Sequence, residues 1–175
     1  LLGVTHQIGE AMQKAFAQAH FAEAAAQLAQ LTQLGAVHHP KVELLLRESR
    51  RSIRQHLQTL EANSKSLCFE ERFAEAEALI DQLALGVAAF DATVTQGVDP
   101  NALRAHVAHA KRKQEEIKQR VLEALSAVGL EGLEEEDPFT LTKSGRQRVA
   151  VASVLASNPD VLILDEPTTG LDYSE

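Results

Sequence analysis

Apolar residues recur at three- and four-residue spacing almost without a break from Ile8 to Val128, and little but packed helices satisfies that pattern. Ile8, Met12 and Phe16, followed by Phe21, Ala25, Leu28 and Leu31, predict a helix over residues 5–34, stopped by Gly35 and the His38-His39-Pro40 cluster. Val42, Leu45, Leu46, Ser49, Ile53, Leu57 and Leu60 form the stripe of a second helix, with Arg47, Arg50, Arg51 and Arg54 mostly off it. Asn63-Ser64-Lys65-Ser66 reads as a polar turn. Phe69, Phe73, Ala76, Ile80, Leu83, Val87 and Phe90 then predict a third helix, which ends by Gly97. Asp99 as N-cap and Pro100 at the first helical position open a fourth helix. Its face carries Leu103, Val107, Ala110, Ile117, Val121, Leu125 and Val128, and Gly129 caps it. Short connections make such helices pack antiparallel.

Aromatic residues supply only 4% of the chain, so the helices pack largely through alanine and aliphatic side chains. Phe21-Ala22-Glu23-Ala24, with Leu28, Leu31 and Gly35, is echoed by Phe73-Ala74-Glu75-Ala76, with Ile80, Leu83 and Gly86. The echo fits either a helical repeat of the tetratricopeptide kind or two helices solving one packing problem. A formal net charge of −8 disfavours nucleic acid and acidic lipid as partners of the whole surface. Against it, the basic cluster Lys111-Arg112-Lys113 reads as a solvated helix face. Cys68 is the single cysteine, which excludes an internal disulfide. Leu83 to Phe90 is the longest apolar candidate for a membrane span and is far too short. His106 and His109 lie i,i+3 on a helix and could share a metal, but no third ligand is evident. The chain opens Leu1-Leu2-Gly3 without methionine, so Leu1 is not expected to be the start of a gene product.

The chemistry is concentrated near the C-terminus. After the acidic linker Glu131–Asp137 and Pro138-Phe139, a helix is expected over 144–157, and Asn158-Pro159-Asp160 turns out of it. Val161-Leu162-Ile163-Leu164 reads as a short strand buried on both faces, with Asp165 and Glu166 at its carboxyl tip and a Pro/Thr/Gly turn beyond. Open α/β sheets bind ligands at that end of their strands. An acidic pair there suits magnesium-phosphate chemistry, one carboxylate serving the ion and the other a water.

The run from Val161 through Asp172 resembles the Walker B strand and D-loop of an ABC-type ATPase. The resemblance extends back to Ile117, with Leu141-Thr142-Lys143-Ser144-Gly145-Arg146-Gln147 in the signature position. Gly170-Leu171-Asp172-Tyr173 is similar to the D-loop of cassettes from energy-coupling-factor transporters. The resemblance implies an ATPase that works as a dimer to drive transport, with ATP and Mg²⁺ as cofactors. Asp165 would serve Mg²⁺, Glu166 would be the general base, and Asp172 would bridge the dimer. Thr142, Lys143, Ser144 and Gly145 would contact the nucleotide held by the opposite subunit. Implied partners are a second ATPase subunit and transmembrane transporter subunits, and the implied location is cytoplasmic, peripheral to the membrane through those subunits.

Two departures from the family pattern stand out. The signature is Leu-Ser-Gly-Gly-Gln, yet Ser144 stands where the second glycine belongs and Gly145 where glutamine or glutamate belongs. If that position requires positive φ, Ser144 carries strain of about 1–3 kcal/mol. No Gly-x-x-x-x-Gly-Lys-[Ser/Thr] phosphate loop occurs in the 175 residues, nor a Q-loop or switch histidine. The expected fold is therefore mainly α: an antiparallel helical bundle over residues 1–98, then a partial ABC-ATPase α/β segment over 99–175 with one buried strand. The expected function is part of a transport ATPase that is not active alone. The alternatives are a helical module for an unknown protein partner carrying a cassette remnant, or a truncated or composite chain without activity.

Overall fold

The computed structural model describes residues 2–35, 40–163 and 165. Its elements are α1 (Leu2–Ala17), α2 (Phe21–Gly35), α3 (Pro40–Phe69), α4 (Phe73–Ala89), α5 (Ala92–Thr95), α6 (Pro100–Ala127), a 3-10 turn (Pro138–Thr140) and α7 (Lys143–Ala156). The chain divides into two compact units, Leu1–Ala110 and Lys111–Glu175.

In the first unit α1 packs on α2 and α3 on α4, and α2 joins the two hairpins by packing against both α3 and α4. Leu31, Ile53, Leu57, Ile80, Leu83 and Val94 are essentially inaccessible at the centre. Burial of each is worth roughly 1.5–3 kcal/mol. Phe16 sits among three rings, edge-on to Phe21 at 5.6 Å, to Phe90 at 6.0 Å and to His56 at 4.8 Å. At Gly86 α4 comes close to α3, since a Cβ there would stand 2.7 Å from Leu57 Cδ2.

The helix expected over 5–34 is two helices. It breaks at Gln18–His20, where Ala19 takes φ 58°. The Ala19 N–H donates to the Phe16 carbonyl at 3.0 Å and the His20 N–H to the Ala15 carbonyl at 2.9 Å. This is the Schellman pattern, which satisfies carbonyls that a helix end leaves open. The polar run Asn63–Ser66, expected as a turn, lies inside α3. The reason is local: the Ser64 hydroxyl donates to the Glu61 carbonyl at 2.8 Å, and Lys65 pairs with Glu61 at 2.8 Å. Ser64 is thereby satisfied while 1% exposed. The chain turns instead at Glu70–Arg72, leaving Phe69 91% exposed rather than on the core face.

That second turn repeats the first. Glu71 takes φ 61°, its N–H donates to Cys68, and the Arg72 N–H donates to Leu67 at 2.9 Å. Ala19 corresponds to Glu71, His20 to Arg72, and Phe21 to Phe73. The sequence echo thus falls on the second helix of each hairpin, with Ala24 and Ala76 both wholly buried.

The mainly helical expectation holds, but the α/β segment with a buried strand does not. Among the described residues there is no strand, and Val161, Leu162 and Ile163 are 75%, 37% and 88% exposed. One strand cannot pair its own N–H and C=O groups, and no described segment offers it an edge. Leu164 lies outside the described residues.

Candidate functional site

Thr142 opens α7, which follows directly from the 3-10 turn. Asp137 caps that turn by accepting from the Phe139 N–H at 2.9 Å. Pro138 sits at the first position of the turn, where a missing N–H costs nothing. The Thr142 hydroxyl then accepts from the Gly145 N–H at 3.1 Å and is the N-cap of α7. From the first turn of α7, Arg146 reaches back, its Nη1 donating to the Leu141 carbonyl at 2.6 Å. The entry to the helix is thus tied from both sides.

Of the four signature-position residues, Thr142 and Lys143 are exposed, whereas Ser144 and Gly145 are buried. Ser144 is not among the described residues with positive φ, so the conditional strain does not arise there. Space is tight at Gly145. A Cβ would meet Leu141 Cβ at 3.1 Å and the capping Thr142 oxygen at 3.4 Å. Asp165 is exposed, beyond the exposed run Val161–Ile163. Glu166 and Asp172 lie outside the described residues. Thr142–Gly145 thus form one helix start.

The surrounding second unit is a small helical layer. Leu125, Leu130, Leu133, Pro138, Leu141 and Ala152 line an apolar groove of about 260 Å³ between the end of α6, the acidic loop and α7. Gly129, at φ 70°, closes α6 with the Schellman bonds used in the first unit. In the loop, the Glu134 carboxylate accepts from its own N–H and from that of Gly132, the latter at 3.0 Å, which holds it below the usual carboxylate range. Asn158, at φ 50°, ends α7; asparagine tolerates that backbone better than most residues.

Arg146 was not among the residues singled out from sequence. Its only signal there was a cation at the first turn of a helix, where helix electrostatics disfavour one. His106 and His109 are both exposed, and no group of three histidine, cysteine or acidic side chains suited to a metal exists among the described residues. No described helix is long and apolar enough to cross a membrane.

A profile described as ABC transporter matches residues 26–169. A relative from Caldanaerobacter subterraneus subsp. tengcongensis, described as an ABC transporter ATP-binding protein, is 68% identical over 62 residues. That stretch is 35% of this chain and 11% of the relative. The energy-coupling factor transporter ATP-binding protein EcfA of Methanocaldococcus jannaschii is 52% identical over 59 residues, 34% of this chain and 21% of its own length. EcfA of Methanococcus maripaludis is 48% identical over 59 residues, with the same two shares. The chain thus spans between about a tenth and a fifth of the length of these relatives. No solved structure matches. With a profile covering more than half of its residues, and these relatives alongside, the chain belongs to the ABC transporter family.

Proposed function

We propose that the chain is the signature-bearing portion of an ABC-type ATPase that couples ATP hydrolysis to membrane transport, and that it acts only with a second, phosphate-loop-bearing subunit. In this reading residues 1–98 form a helical module and 99–175 the cassette-derived segment. The supporting observation is the start of α7, where a capped helix N-terminus displays Lys143 to solvent. The first turn of a helix carries backbone donors and a partial positive charge, which suit a phosphate.

The residues present fit half of a nucleotide site. The α7 terminus suits a γ-phosphate presented from outside, and the exposed Asp165 carboxylate suits Mg²⁺, which keeps most of its waters. The chain has no glycine loop and lysine to cradle the β- and γ-phosphates, so no hydrolytic step is assigned to it alone. Asp165 as the magnesium carboxylate, Glu166 as base and Asp172 as the dimer contact belong to this proposal, as do the transmembrane subunits and a cytoplasmic, membrane-peripheral location.

The test is complementation. The chain is mixed with a cassette that keeps its phosphate loop but has an inactivated signature, and ATP hydrolysis is measured. Restored hydrolysis that Thr142→Ala weakens is expected; no restoration at saturating chain would overturn the proposal.

A further inference from the structure

We infer that Arg146 is a positioning residue, whose grip on the Leu141 carbonyl fixes the turn from which Thr142 and Lys143 face a phosphate; this rests on the proposed function of the α7 start. Two kinds of bond join Arg146 to that turn. Its backbone N–H donates to the Thr142 carbonyl at 3.0 Å, as in any helix, while its Nη1 donates to the Leu141 carbonyl at 2.6 Å. Only the second depends on the side chain. Together they hold both carbonyls of the Leu141-Thr142 pair, and with them the peptide plane between the two residues. The Thr142 hydroxyl accepts from the Gly145 N–H at 3.1 Å, which leaves its own proton to donate outward. Where that proton points follows from the orientation of the Leu141-Thr142 peptide, and Arg146 sets it.

The charges at this helix start are arranged against stability. α2, α3 and α4 each carry a glutamate in the first turn, namely Glu23, Glu43 and Glu75, where helix electrostatics favour an anion. α7 has no acidic residue there, and Lys143 and Arg146 stand three residues apart in its first turn, both exposed. A side chain selected only to fasten the turn would not need a positive charge at the unfavourable end of the helix. A guanidinium fastens it and keeps the local charge positive, so a phosphate brought to Thr142 meets no carboxylate from the first turn. Arg146 acts here through Leu141 and Thr142.

The test uses the full chain in the complementation assay, with Arg146→Met, which keeps the length of the side chain without its donors, and Arg146→Lys, which keeps a donor and the charge. Arg146→Met should lower the restored rate at saturating chain roughly tenfold or more, since small misplacements of a reacting constellation carry penalties of that order. The chain concentration giving half of that rate should stay within about twofold, and Arg146→Lys should recover most of the rate, with far-UV circular dichroism unchanged in both. In the isolated chain, Arg146→Met should speed hydrogen exchange at the Gly145 amide. A full restored rate in Arg146→Met, a shift in the half-restoring concentration alone, an Arg146→Lys no better than Arg146→Met, or unchanged exchange at Gly145 would overturn the inference. The two readings fail differently. A wild-type chain that restores nothing overturns the proposed function and this inference with it, whereas a wild-type chain and an Arg146→Met that restore equally overturn this inference alone.

Discussion

Ala17 and Ala19 stand two residues apart at the end of α1, yet glycine should act on them with opposite sign. Ala19 holds φ 58°, a left-handed backbone that costs an L-residue about 1–2 kcal/mol and glycine almost nothing. Glycine also loosens the unfolded chain, which takes back about 0.4–1 kcal/mol. The balance leaves Ala19→Gly stabilising by roughly 0.5–1 kcal/mol. Ala17 is the last helical residue of α1 and is exposed, so Ala17→Gly gains no relief. It carries only the helix penalty of up to about 1 kcal/mol. Both alanine side chains are exposed, so neither substitution opens a cavity in the core. Urea denaturation of each variant, followed by circular dichroism at the helix band, reads the midpoint at constant slope. Ala19→Gly should raise it and Ala17→Gly lower it. A neutral or destabilising Ala19→Gly would refute the Schellman turn between α1 and α2, and with it the correspondence between the two hairpins.

Other consequences are measurable in the same way. Gly86→Val places a branched side chain where even a Cβ lies 2.7 Å from the fully buried Leu57, and should destabilise by roughly 1–3 kcal/mol in urea. Thr142→Ala removes the cap of α7 and should cost about 1 kcal/mol, read as faster hydrogen exchange at the Gly145 amide. The Asp91 carboxyl lies below its usual range, first through the Thr93 hydroxyl it accepts from, then through the Thr93 N–H and the Arg50 charge. A depressed carboxyl stabilises above its unfolded value of roughly pH 4, and that contribution fades as pH falls through the folded value. Asp91→Asn should therefore flatten the acid limb of a stability-pH curve while leaving a smaller loss at neutral pH.

The helical character of the first unit was legible because its apolar spacing persists, and Asp99-Pro100 and Gly129 mark the ends of α6 with residues of unambiguous chemistry. The turns were harder where no glycine announces them. Ala19 and Glu71 carry the left-handed backbone that glycine carries at Gly129, and nothing in their side chains signals it. Asn63–Ser66 misled in the opposite direction, since polar residues at a helix surface and in a loop look alike until the Ser64 and Lys65 bonds to Glu61 are seen. The strand failed for a non-local reason. Val161–Ile163 has strand composition, but a strand is stabilised by its neighbours, and composition does not say whether neighbours are present. At the signature position the displaced glycine was legible, but the close approach of Leu141 to Gly145 was not, because it depends on how the turn before α7 folds back.

Central to the account is the proposal that this family segment depends on another polypeptide for its nucleotide chemistry. Magnesium-dependent binding of a fluorescent ATP analogue to the isolated 175-residue chain tests that claim most directly. No saturation through the micromolar range is the predicted result. Micromolar affinity that requires Mg²⁺ and is abolished by Asp165→Asn would contradict it.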